Sequence, residues 1–177
     1  MEVIHLWWIG EREPRDGVLG HVRRHLERAF GRPVAIWPGA ERPAGAFDAR
    51  RKQWSSSRIL DWLARAGPDG RVLGVTDVDL FIPILTFVFG EAQLGGKAAV
   101  VSTARLAEPG LPDERVVLER LAKESVHEVG HVFGLLHCDT LACVMGRSSS
   151  VRDVDRKHGD LCPTCRARVA NGSGEAS

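Results

Sequence analysis

The stretch His127-Glu128-Val129-Gly130-His131-Val132-Phe133-Gly134-Leu135-Leu136-His137-Cys138 gathers residue types that bind a metal ion and use it. Residues four apart on an α-helix lie on one face, so His127 and His131 can share one ion. Glu128 stands beside them, placed to reach a water at the metal without ligating it. Gly134 tolerates positive φ, which lets the chain leave the helix and bring His137 in from another direction. Three imidazoles leave the fourth position of a tetrahedral Zn²⁺ open, the mark of a catalytic rather than a structural site. The chemistry expected is hydrolysis. Zinc lowers the pKa of its water toward about 7 and polarises a carbonyl, while Glu128 acts as general base and passes the proton to a leaving amine. The competing reading, ordinary histidines on an amphipathic helix, is disfavoured because three of the chain's seven histidines fall in this stretch.

All four cysteines lie in one window: Cys138, Cys143, Cys162 and Cys165. The last two form C-x-x-C around Pro163, as in a metal-binding turn. Four thiolates saturate a tetrahedral Zn²⁺, so this second site is closed and structural. Two disulfides are the competing reading, disfavoured by the lack of a secretion signal. Cys138 directly follows His137, so folding of the cysteine loop fixes the direction of the third histidine. The expected content is two Zn²⁺ per chain, one catalytic and one structural.

The elements that position these groups follow from periodicity and punctuation. Glu2–Ile9 reads as a strand rich in β-branched and aromatic residues. Val18–Phe30 carries Val18, Val22, Leu26 and Phe30 on one helical face. Val34–Trp37 is a short strand stopped by Pro38, and Ala49–Ala66 a second helix. Arg71–Thr76 is a central strand. Thr86–Gly90 is a candidate strand, and Lys97–Ser102 a strand whose edge could take an extended peptide. Arg105–Asp113 is a connection, Glu114–Leu136 the long metal-bearing helix, and Arg152–His158 a turn or short helix. Asp155 is a candidate to orient a ligand histidine. Asp77, Asp79 and Glu91 read as caps and salt bridges rather than calcium ligands.

The chain has 177 residues and 44% hydrophobic content, enough for one domain with a real core. The reading is a single domain over 1–170, with 136–170 as its C-terminal zinc-bound subregion and 171–177 as a tail. Net charge is +1 and well mixed, so neither nucleic acid nor membrane is an expected partner. No apolar run approaches the ~20 residues that span a bilayer. The apolar start, Met1 to Ile9, lacks a basic region and a cleavage site, so it reads as a buried strand rather than a signal peptide. A cytoplasmic monomer is expected.

The chain resembles the archaemetzincins, a zinc peptidase family of the metzincin clan. The resemblance rests on His127, Glu128, His131, Gly134, His137, Cys138, Cys143, Met145, Cys162 and Cys165. It extends to Gly74–Phe81, Phe87–Ala92, and Ser102 with Arg105-Leu106. It implies an α/β (α+β) metzincin-like fold: a twisted mixed β-sheet, two backing helices, an active-site helix and a small C-terminal zinc-bound subdomain. It also implies one catalytic and one structural zinc, with Met145 in a methionine turn beneath the catalytic ion. Several metzincins use a tyrosine near that turn as an oxyanion donor. This chain has no tyrosine, and Lys157 and His158, shortly after the turn, are the candidates instead. The function expected is a zinc metallopeptidase acting on peptides or proteins, with an aminopeptidase preference one option. The alternative is a catalytically weak or inactive zinc scaffold that binds peptides or a protein partner. A nucleic-acid-binding finger at the four cysteines is disfavoured by the near-zero charge.

Overall fold

A computed structural model describes residues 2–11, 14–108, 110 and 112–172. Part of the 105–113 connection and residues 173–177 of the tail therefore lie outside the described residues. The main sheet has five strands: β1 (Ile4–Ile9), β2 (Val34–Ala40), β5 (Arg71–Thr76), β7 (Gly90–Ala92) and β8 (Ala98–Ser102), in the order β2-β1-β5-β8-β7. All neighbours run parallel except β7, which is antiparallel to β8. A smaller sheet joins β3 (Phe47–Asp48), β4 (Gln53–Ser55) and β6 (Leu80–Phe81) in the order β3-β4-β6.

The central strands β5 and β8 are apolar through their interiors, with Arg71, Thr76 and Ser102 at their ends, because both faces are covered. Leu73, Val75, Ala99 and Val101 face α1 (Val18–Phe30) and α3 (Glu114–Val132), against Val22, Leu26, Leu121 and Val129. Val72, Ala98 and Val100 face α2 (Ser56–Ala66), against Ile59, Leu60 and Leu63. This alternation sandwiches the sheet between helices and holds α3 against its edge. Two short helices complete the chain, α4 (Val151–Arg156) and α5 (Pro163–Ala170).

Several expectations are corrected. The second helix begins at Ser56, not Ala49. The Asp48 carboxylate accepts from the Arg50 and Arg51 amides at 2.9 and 3.0 Å, closing a turn that competes with helix. The chain then enters β4, and Ser55 caps α2 through the Arg58 amide. β2 continues through Pro38, which an edge strand tolerates because its missing N–H faces no neighbour. Thr86–Gly90 does not form a strand as a unit. Val88 alone bridges Leu80, and the ladder starts at Gly90. Ala98–Ser102 is interior, paired on both sides by β5 and β7, so the sheet edge belongs to β7. α5 was not anticipated. Proline at its first turn starts a helix where the C-x-x-C pattern suggested only a turn.

Candidate metal centre

α3 carries His127 and His131 one turn apart, and ends at Val132. Gly134 takes φ 85°, and His137 follows on the returning chain. One nitrogen from each of the three imidazoles lies within 4.8 Å of the others. Backbone carbonyls fix two of the rings. His127 donates its Nδ1–H to Val144 O at 2.9 Å, and His131 donates its Nδ1–H to Leu135 O at 2.7 Å. Both Nε2 atoms are therefore bare, and they stand 3.1 Å apart. Neither can donate to the other, so a shared cation is what this pair fits. Burial pushes the pKa of all three rings down, that of His127 furthest, with Lys157 adding to it. They stay neutral, the form that ligates metal. Nitrogen donors with an open side suit Zn²⁺.

Glu128 lines the same cleft, a cavity of about 550 Å³ walled by residues 85–92 of the loop and β7, by α3, and by Arg147, Ser148 and Ser149. A Cβ on Gly90 would stand 2.8 Å from Glu128 Cγ, so only glycine lets β7 pass this close to the carboxylate's stem. Burial, reinforced by Glu124, pushes the Glu128 carboxyl well up. Met145 is fully buried beneath the helix, where a Cβ on Gly130 would collide with its Sδ.

The four cysteines also converge. Cys138 Sγ is 3.9 Å from Cys162 Sγ, and Cys143 Sγ is 3.9 Å from Cys165 Sγ. A disulfide requires ~2.05 Å, whereas thiolates around a tetrahedral Zn²⁺ at ~2.3 Å stand about 3.8 Å apart. Burial opposes the Cys162 thiolate, but hydrogen bonds from the Cys165 amide and the neighbouring thiols bring its pKa down to about 6. Burial pushes Cys165 up.

Other expected residues are placed elsewhere. Lys157 is buried on the Nδ1 side of His127, its Nζ 3.1 Å from Glu124 Oε1 and 3.5 Å from that Nδ1. His158 is exposed, with its backbone amide on Ala142 O. Neither lines the cleft, which corrects the expectation of an oxyanion donor from either. Asp155 grips Arg120 with both oxygens at 2.8 Å rather than a ligand histidine; the two carbonyls do the orienting. Asp77, Asp79 and Glu91 pair with Arg42, Arg105 and the Ser56 and Ser57 hydroxyls respectively. Glu124 was missed. It lies three residues before His127 and four before Glu128, on their helix face, and that spacing was its signal. Arg147 was missed too. It stands on the cleft wall without a hydrogen bond or ion pair among the described residues.

The family model of peptidase family M54 matches residues 53–171. The archaemetzincin of Methanocaldococcus jannaschii is 41% identical over 163 residues, covering 89% of this chain and 90% of that protein. The crystal structure of the Archaeoglobus fulgidus archaemetzincin, complexed with malonate, superposes with a TM-score of 0.82 at 36% identity, covering 94% of this chain and 99% of that one. The Methanopyrus kandleri structure gives 0.84 at 36% identity, covering 98% and 96%. With a family match over two thirds of its length and relatives this similar end to end, the chain belongs to peptidase family M54, the archaemetzincins, and is a zinc metallopeptidase.

Proposed function

We propose that the chain hydrolyses peptide bonds at His127, His131 and His137, with Glu128 as general base, and carries a second, structural zinc on Cys138, Cys143, Cys162 and Cys165. The observation that carries this reading is the pair of bare Nε2 atoms beside His137, in the cleft that Glu128 also lines. Bound there, zinc supplies a Lewis acid that activates water and polarises the scissile carbonyl. Glu128 takes the proton of the attacking water and delivers it to the departing amine. Val144 O and Leu135 O hold the two rings in one tautomer, with each Nε2 left free to take the ion. β7 is the sheet edge along the cleft, and an extended peptide pairs with it there. The four cysteines hold the C-terminal turn of 136–170 against the rest of a single domain over 1–170. Among the described residues no helix is long and apolar enough to cross a membrane; a cytoplasmic monomer completes the reading.

Zinc-loaded wild type and Glu128→Gln, assayed on a peptide library, test it. The glutamine variant should keep its zinc and lose cleavage by roughly 10²-fold or more. Equal residual cleavage would favour a zinc scaffold that binds peptides without turnover. Metal analysis should give two zinc ions for wild type, one fewer for Cys162→Ser, and a catalytic ion lost in His131→Ala.

A further inference from the structure

Away from the cleft, α1 and α3 meet at another group of ligating side chains. His21 and His25 lie four apart on α1, and Glu119 lies opposite them on α3. One candidate ligand atom from each lies within 4.8 Å of the others. His25 donates its Nδ1–H to the His21 carbonyl at 3.0 Å. Its Nε2 is thereby left bare, 3.9 Å from Glu119 Oε2. His21 Nε2 lies 3.1 Å from Glu119 Oε1, yet it is buried and misaligned for a hydrogen bond. Two imidazole nitrogens and a carboxylate thus converge across short gaps with no aligned hydrogen bond between them. A shared cation relieves that arrangement. Donors about 2.1 Å from a tetrahedral Zn²⁺ stand about 3.4 Å apart, and the two observed separations bracket that value. Burial, followed by His25 and opposed by Glu119, lowers the pKa of His21 and favours its neutral, ligating form.

We propose that His21, His25 and Glu119 form a further metal site, distinct from the catalytic and cysteine sites, that takes a divalent ion of the zinc class and clamps α1 to α3. Two imidazoles and one carboxylate are a donor set that suits zinc. Glu119 is half exposed, so the remaining positions of the ion open to water. The clamp grips α3 about 12 Å, two helical turns, before His127. It therefore ties the helix that carries the catalytic ligands to its neighbour without touching the reacting groups.

The test uses the full chain with its catalytic and cysteine sites already filled. Wild type, His21→Gln/His25→Gln and Glu119→Gln are dialysed against micromolar free Zn²⁺, and bound zinc is counted. Wild type should hold one ion more than the double variant, and Glu119→Gln should need roughly tenfold more free zinc to reach the same count. Zinc should also shield His21 and His25 of the wild type from diethyl pyrocarbonate, read by mass spectrometry of the peptide that contains both. That readout needs no variant, so misfolding of the double variant leaves the test intact. Equal zinc counts in the three proteins, or zinc-independent modification of His21 and His25, would overturn the site and leave an ordinary polar contact between the two histidines and Glu119.

Discussion

Gly130 is the point where α3 and the segment carrying Met145 touch. A helix-interior glycine lowers stability by about 1 kcal/mol relative to alanine, so its presence needs a packing reason. Met145 supplies one, because any β-carbon on Gly130 would collide with its buried thioether. Gly130→Ala should therefore destabilise by about 1–2 kcal/mol in a urea melt, the overpacking loss exceeding the gain in helix propensity. A stabilised variant would show that Met145 can move aside. Lys157 and Glu124 are a second pair whose partners need each other, with side chains 4% and 3% exposed. Removing the ammonium leaves a buried carboxyl without its counter-ion, with the Ser148 hydroxyl at 3.4 Å. Lys157→Met should lose about 3 kcal/mol, and adding Glu124→Gln should recover most of it. A double variant no more stable than the single would show that the pair is not mutually compensating. The convergence of His127, His131 and His137, with Glu128 on the same cleft, was readable from spacing alone. The Glu124–Lys157 pair was not, because its partners lie 33 residues apart.

The elements differ in how much of their extent local chemistry sets. Val18–Phe30 and Arg71–Thr76 are found at the bounds expected. Helical periodicity followed by Gly31 defines the one, and a short run rich in valine that follows the turn at 67–70 defines the other. α2 started late because a single aspartate side chain closed a turn before it. The segment 77–89 follows β5 with little regular structure, and it is held by contacts distant in sequence. Arg105 donates to both Asp79 oxygens, at 2.9 and 2.5 Å, and Gln53 adds a bond at 2.9 Å. Burial opposes the Asp79 carboxylate, but these bonds outweigh it and hold the pKa below the ordinary value. A carboxyl depressed on folding contributes stability that is complete above its unfolded pKa, about 4, and is lost as pH falls through the folded value. The stability gap between wild type and Asp79→Asn should therefore be full at neutral pH and close as pH drops below about 4. Acid unfolding curves check this, and a gap independent of pH would show that Asp79 is not held as the anion.

The C-terminal turn ties both clusters of candidate ligands to the rest of the molecule. Val144, Met145, Val154, Leu161 and Val169 join the same core as α1, α3 and the sheet. The turn that carries the four thiols therefore also shares the main core. Under the proposed second zinc, chelation should lower the melting temperature and raise amide exchange mainly across residues 136–170. Sheet strands β1 and β5 should stay protected. Uniform exchange over the chain would count against a locally structural ion. What the sequence determined by itself was mostly chemistry within a turn or two of helix, namely which imidazoles share a face and which carboxylate accompanies them, together with which thiols cluster. The imidazoles on one helix face and the carboxylate beside them are close because they are near in the chain, whereas the two cysteine pairs, 24 and 22 residues apart, were legible only through the metal-ligand chemistry of their residue type. Only the tertiary structure decided which carbonyls orient the imidazoles, that β7 rather than β8 borders the cleft, that Lys157 stands behind His127, and that His21 and His25 meet Glu119. Those relations depend on how helices lie across the sheet, and that is set by the summed packing of two apolar faces rather than by any local pattern.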